Sequence, residues 1–255
     1  IHASAGSHEN DDTFPVTPPY MFLDDGCNVK YAAAIKPYIK QSKVATVGAL
    51  SDPAMMEEII ASGQADIVQM ARGLICDPDI PIKARTGRES EIRHCMRCFA
   101  CFGGLIHRGH IACAQNPEIS NELEFRFARP APEKKNVLVV GGGIGGMQAA
   151  ITCAQQGHQV ILCEKTGELG GILRCERDVP FKKHLEQYLD YQAGLVSRER
   201  IDLRLNTEVT PDYARKIAPN VILCALGAQP VIPPIPGITG ENVLEVTDCY
   251  RHPEK

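Results

Sequence analysis

The chain has 255 residues, 44% of them hydrophobic, enough for one large or two ordinary domains with real cores. Its net charge of −4, with no run of five basic residues, offers no source for the phosphate-backbone attraction of a nucleic-acid binder, so a small-molecule partner is expected instead. The longest nearly uncharged stretch, Val137 to Lys165, is broken by glycines and polar residues and fails as a membrane span, and no signal peptide is recognisable.

Residues 1–90 alternate strand-like and helix-like pieces. The opening IHASAG reads as the end of a strand, followed by His8 in SAGSHEND. Tyr31 to Lys43 has helical periodicity despite Pro37, and Val44 to Leu50 is a β-branched run ending in glycine. Asp52 to Gly63 has an Asp N-cap, Pro at the first helical position and a terminal Gly; Ala65 to Gly73 reads as another buried strand. This is the βα repeat of a parallel sheet or barrel, with about three units present. If these are late strands of a βα barrel, Gly48, Ala49, Ala71 and Arg72 lie at the C-terminal face, where the loops after the last strands often bind phosphate. Arg72 would supply the charge there, or else be a solvated loop arginine. His8 would lie on the same face as a general acid, or be a polar loop histidine.

Cys95, Cys98, Cys101 and Cys113 follow in the pattern C-x2-C-x2-C-x11-C. Thiolates at this spacing select zinc, iron–sulfur or copper(I). A close triplet with a distant fourth cysteine resembles iron–sulfur ligation, while His94, His107 and His110 keep zinc open. No sustained periodicity is expected between Cys95 and Pro117, because ligation would fix the backbone there. The other seven cysteines, Cys27, Cys76, Cys153, Cys163, Cys175, Cys224 and Cys249, have no spacing partners and read as inert thiols. Eleven cysteines, odd in number, argue against a disulfide framework and for a reducing compartment, best met by the cytoplasm.

Phe125 to Asn136, with Pro130 and Pro132 among basic residues, reads as a linker and domain boundary. Beyond it, NVLVVGGGIGGMQAAITCAQQGHQVILCEK is a strand, glycine turn, helix and second strand. In Gly141-x-Gly143-x-x-Gly146 the first glycine permits the tight turn, the second admits a pyrophosphate and the third allows close helix packing. Glu164 closes the second strand, where its carboxylate can accept from both ribose hydroxyls. The pair Gly170-Gly171 and Ala225-Leu226-Gly227 resemble further contacts of two-dinucleotide flavoproteins, which favours FAD over NAD here; otherwise they are ordinary loops. Phe181 to Leu195 is expected as a helix, Ile201 to Asn206 as a short strand and Val221 to Gly227 as a buried strand.

The order GALSDP, QMARGLICDPD, the cysteine cluster, a short linker and GGGIGG resembles the iron–sulfur NADH:flavin oxidoreductases of the Old Yellow Enzyme superfamily. That family includes 2,4-dienoyl-CoA reductase, 2-enoate reductase, bile-acid enoate reductases and trimethylamine dehydrogenase. The resemblance implies an α/β chain: the C-terminal part of an FMN-binding TIM (β/α)8 barrel over 1–90 and a 4Fe-4S cluster segment over 91–124. A linker over 125–135 and a partial Rossmann-like FAD/NAD(P)-binding domain over 136–255 would follow. It further implies cluster ligation by Cys95, Cys98, Cys101 and Cys113, and FMN phosphate contacts from Gly48, Ala49, Ala71 and Arg72. FAD would meet Gly141, Gly143, Gly146, Glu164, Gly171 and Gly227.

Electrons would pass from NAD(P)H to FAD, to the cluster, to FMN and to the C=C bond of an enoate or enoyl-CoA, with His8 helping to protonate the product. Two residues between the second and third cysteines match trimethylamine dehydrogenase, whereas dienoyl-CoA reductases tend to have three. Trimethylamine dehydrogenase carries ADP in place of FAD. The family often has Arg where Ala49 stands, which leaves a backbone contact only. An amine dehydrogenase of the trimethylamine dehydrogenase type, or a standalone electron-transfer or zinc-binding module, are the alternatives. A homo-oligomer is compatible with either enzyme. The chain reads as the middle third of such an enzyme, with barrel strands expected before Ile1 and a nicotinamide domain after Lys255.

Overall fold

The computed structural model describes residues 1–7, 9, 10 and 12–251. The chain divides into two compact units, Ile1–Phe127 and Ala128–Lys255.

In the first unit, β1 (His2–Ala3), α1 (Val29–Ile35), β2 (Ala45–Val47), α2 (Pro53–Ala61) and β3 (Ile67–Gln69) alternate. The three strands are parallel in the order β1-β2-β3, with His2 opposite Ala45 and Ala45 opposite Ile67. Ala3, Val29, Ala32, Val44, Leu50 and Ile59 form the core between sheet and helices. A buried aliphatic side chain of this kind contributes roughly 1.5–3 kcal/mol. The start of α2 follows from its sequence, since the Asp52 carboxylate accepts from the Ala54 N–H at 2.9 Å and Pro53 occupies the first turn.

Two expectations for this unit are corrected. Helix α1 ends at Ile35, and Lys36–Tyr38 tightens into a 3-10 turn, because Pro37 has no N–H to continue the ladder. Strand β3 is not buried: it lies at the end of the strand order, and Ile67 is 47% exposed while Val68 alone packs on the core.

Helices α3 (Arg72–Cys76) and α4 (Ile80–Arg85) follow, then α5 (Ala100–Arg108) and α6 (Glu122–Arg126). Helix α5 overturns the expectation of an aperiodic cysteine segment. It carries Cys101 and closes on Gly109, whose left-handed φ of 73° lets its N–H reach the Leu105 carbonyl.

The second unit contains β4 (Asn136–Val140), α7 (Ile144–Gln155), β5 (Gln159–Cys163), α8 (Lys183–Arg198), β6 (Ile201–Arg204), α9 (Pro211–Ile217), β7 (Val221–Cys224) and α10 (Val246–Arg251). Its sheet is parallel throughout, in the order β6-β5-β4-β7. Val137, Val139 and Leu162 of the central strands pack against Met147 and Ile151 of α7 and Val196 of α8. Strand β7 is not buried as expected; it is an edge strand with Ile222 46% exposed. Helix α8 starts after a 3-10 turn at Pro180–Lys182 and runs beyond Leu195. Among the described residues, no helix is long and apolar enough to cross a membrane.

Candidate cofactor sites

Parallel strands deliver their C-terminal ends to one face, and in the first unit that face opens into a cavity of 220 Å³. Gly48 and Ala49, after β2, line it together with Ala71 and Arg72, after β3. At Gly48 the backbone has a φ of 134°, and a Cβ there would lie 2.8 Å from the Asn28 amide nitrogen, so only glycine fits. Ala49 is left-handed with a φ of 52°, which turns the chain along the cavity wall.

Arg72 reaches this cavity from the start of α3. Its Nη2 donates to the Pro19 carbonyl at 2.6 Å, and its guanidinium lies 5.4 Å from the Phe99 ring centroid. Its Nη1 is buried without a hydrogen-bond partner. An unsatisfied donor of this kind is costly to bury. Burial pulls the Arg72 pKa down against the opposing pull of Cys95 and Cys101.

Cys95, Cys98, Cys101 and Cys113 line a second, smaller cavity of 20 Å³, into which no histidine among the described residues projects. His94 instead places Nδ1 3.3 Å from Ser51 Oγ, and His110 places Nδ1 3.1 Å from the Arg108 carbonyl. Among the described residues, no group of three or more His, Cys, Asp or Glu converges as a single metal ion requires. The four thiols that line this cavity are soft donors, of the kind that thiophilic metals and iron–sulfur clusters take.

Local backbone shape presents these thiols. Arg97 and Phe99, on either side of Cys98, are left-handed at φ 56° and 61°, at a cost on the order of 1–3 kcal/mol each. The Arg97 N–H points at Cys95 Sγ at 3.4 Å. Hydrogen bonding with Cys76, helped by the Gln115 and Asn116 N–H groups, pulls the Cys113 thiol below its ordinary value. Burial raises the pKa of Cys95 and Cys101.

A buried polar frame ties the cysteine segment to α3. Arg93 donates from its backbone to Asp77 Oδ2 at 2.9 Å, from Nε to the Cys76 carbonyl at 2.8 Å and from Nη1 to the Gln115 carbonyl at 3.1 Å. Asn116 donates to the Ile75 carbonyl and Gln115 to the His94 carbonyl, each at 2.9 Å. Arg97, 4% exposed, donates to the Leu23 carbonyl at 2.6 Å and pairs with Asp25 at 3.2 Å. Sequence reasoning missed Arg97, Asp25 and Cys76. For Arg97 a signal existed, its place between two cysteines of the triplet; for Asp25 there was none.

In the second unit the glycine turn is tight. A Cβ at Gly146 would lie 1.8 Å from the Gly141 carbonyl oxygen, and one at Gly141, φ 105°, would lie 2.3 Å from the Ala225 carbonyl oxygen. Gly143 caps α7 and bridges to Gly170, with only the Gly171 Cα near the place of its missing Cβ, at 3.9 Å. The structure thus brings Gly141, Gly143, Gly146, Glu164 and Gly171 together around the start of α7. A Cβ at Gly227 would meet nothing within 4 Å.

Glu164 is buried, with Oε2 accepting from the Gly142 N–H at 2.6 Å and Oε1 accepting from the Thr166 N–H and hydroxyl. A carboxylate offers about four lone-pair sites, so about one remains, enough for one ribose hydroxyl rather than two. Burial opposes its ionisation, but these hydrogen bonds hold its pKa below the ordinary value. His8 lies outside the described residues.

Residues 27–91 match the NADH:flavin oxidoreductase / NADH oxidase family, and residues 136–207 match the FAD dependent oxidoreductases. An NADH oxidase of Thermoanaerobacter brockii is 39% identical over 96% of this chain, which covers 37% of that relative. A bilirubin reductase of Mediterraneibacter gnavus is 34% identical over 100% of the chain, which covers 39% of it. Among solved structures, a 2-naphthoyl-CoA reductase complex superposes with a TM-score of 0.89 at 30% identity, covering 100% of this chain and 38% of that one. The chain therefore spans well under half the length of these relatives.

Proposed function

Starting from a chain in which residues 27–91 match the NADH:flavin oxidoreductase / NADH oxidase family and residues 136–207 the FAD dependent oxidoreductases, we propose that it is part of an NAD(P)H-dependent flavin and iron–sulfur oxidoreductase. Its substrate is an enoate or enoyl-CoA, reduced at an activated C=C bond. The observation that carries the reading is the pair of cavities in the first unit, one lined by Gly48, Ala49, Ala71 and Arg72 and the other by the four cysteines. Two similar proteins bear the names of reductases, one of them of a CoA thioester, which supports the substrate class.

In this reading residues 1–90 are the C-terminal part of an FMN-binding TIM barrel, 91–124 hold a 4Fe-4S cluster, 125–135 link, and 136–255 are a partial FAD-binding domain. When bound, the flavins exchange electron pairs with nicotinamide or substrate and single electrons with iron and sulfur. Arg72 holds the FMN phosphate through its guanidinium, while Gly48, Ala49 and Ala71 offer backbone along the same wall. Cys95, Cys98, Cys101 and Cys113 ligate the cluster. Gly141, Gly143 and Gly146 let the start of α7 approach the FAD pyrophosphate, Gly171 faces Gly143 across it, Glu164 accepts one ribose hydroxyl and Gly227 adds a backbone contact. His8 donates a proton to the substrate.

The test is anaerobic purification followed by metal, acid-labile sulfide and flavin analysis. Iron and sulfide in equal amounts, with both FMN and FAD, are expected. Zinc in place of iron, or a lack of labile sulfide, sinks the reading. For His8 the readout is turnover of an enoate by His8→Gln, expected to fall on the order of 10²–10⁴-fold; an unchanged rate removes it from the mechanism.

A further inference from the structure

The two cavities of the first unit have Arg72, Cys95 and Arg97 in common. The two guanidinium groups of that wall differ in their compensation. Arg97, whose Nε is also buried without a hydrogen-bond partner among the described residues, has the Asp25 carboxylate 3.2 Å from its Nη2, so its charge is balanced where it sits. Arg72 donates to the neutral Pro19 carbonyl and rests over the Phe99 ring, and among the described residues its Nη1 is buried without a partner. Arg72 also lines the second cavity together with Cys95, Cys98, Cys101 and Cys113. Arg72 is thus a half-buried cation that shares the lining of the second cavity with the four cysteines and has no carboxylate paired with it among the described residues.

A cluster held by four thiolates takes up one electron, and no proton, on reduction, so its negative charge grows by one. A fixed cation across a poorly polarisable wall favours the more negative form. We propose that Arg72 is a positioning residue for electron transfer: besides meeting a flavin phosphate, it sets the reduction potential of the cluster held by Cys95, Cys98, Cys101 and Cys113. The proposal rests on the flavin and iron–sulfur reading above, and it adds that an anion in the larger cavity, by compensating Arg72, lowers that potential. Arg97, already balanced by Asp25, does not play this part.

The experiment is a redox titration of the anaerobically purified protein with dithionite and mediators, followed by the electron paramagnetic resonance of the reduced cluster. It is run with flavin bound and again after flavin extraction. Arg72→Gln is expected to shift the one-electron equilibrium about tenfold toward the oxidised cluster, a midpoint lower by about 59 mV, while Arg72→Lys retains most of the wild-type value. In flavin-extracted wild type, inorganic phosphate is expected to lower the midpoint relative to chloride at equal ionic strength. This second measurement decides if Arg72→Gln does not load iron. A midpoint unmoved by Arg72→Gln at full iron and sulfide content, or unmoved by phosphate, overturns the proposal and leaves the cofactor reading intact. Absence of iron and sulfide from the wild type defeats the reading itself.

Discussion

Gly146 and Glu164 show how little room the glycine turn leaves for substitution. With its missing Cβ only 1.8 Å from the Gly141 carbonyl oxygen, Gly146 cannot become alanine without pushing α7 away from the turn. Overpacking of this kind costs roughly 1–3 kcal/mol. Gly146→Ala is therefore expected to lower the thermal midpoint and to purify with little FAD, measured by calorimetry and by flavin content. Retention of full FAD would show that the dinucleotide lies elsewhere. The fingerprint was legible because each glycine answers a separate steric demand that spacing alone can express. The near-complete occupancy of Glu164 was not, since it depends on Gly142 and Thr166 turning N–H groups toward a side chain the sequence could only place at a strand end.

At the scale of elements, the junction of α3, α4 and the cysteine segment is held through Asp77, 2% exposed, which pairs with Lys83 at 2.6 Å and accepts from the Arg93 N–H. Burial opposes its ionisation, but the hydrogen bonds from Arg93 and Lys83 hold its pKa below the ordinary value. A carboxyl depressed in the folded state contributes stability that is full above its unfolded pKa of about 3.9 and is lost as pH falls through the folded value. Asp77→Ala leaves the Lys83 ammonium buried without its carboxylate and is expected to cost roughly 3–5 kcal/mol at neutral pH. Urea unfolding at pH 7 and at pH 3 checks both statements: the gap between wild type and variant should narrow in acid. A gap independent of pH would mean that packing, not the ion pair, carries the effect. The strands and helices of this region were legible from β-branched runs, the Asp52 cap and punctuating glycines. Helix α5 was not, because its Gly103-Gly104 pair weakens the helical signal that Leu105 and Ile106 provide.

At the scale of the whole molecule, each unit has a hydrophobic core drawn from its own segment, Ala3 to Val68 in one and Val137 to Leu223 in the other. Loss of the cluster should therefore be a local event. Cys113→Ser is expected to lose iron and labile sulfide while keeping its FAD, measured by metal and flavin analysis of the same preparation. Joint loss of both would contradict independent cores. The division of labour along the chain was legible, since strand patterns, thiols and glycines occupy separate stretches. The wall common to the two first-unit cavities was not, because it is made by contacts between residues far apart in sequence: Arg72 with Pro19 and Arg97 with Leu23.

Arg97 sets two demands on one residue. Its left-handed backbone is a place where glycine would relieve roughly 1–2 kcal/mol, so a stabilisation campaign aimed at unfavourable φ angles would choose it early. The same exchange would take a buried guanidinium away from Asp25 and the Leu23 carbonyl, a loss of roughly 3–5 kcal/mol. The larger number decides the sign: position 97 is one at which the rule for improving a loop gives the wrong answer, and an engineer of this scaffold should hold it fixed.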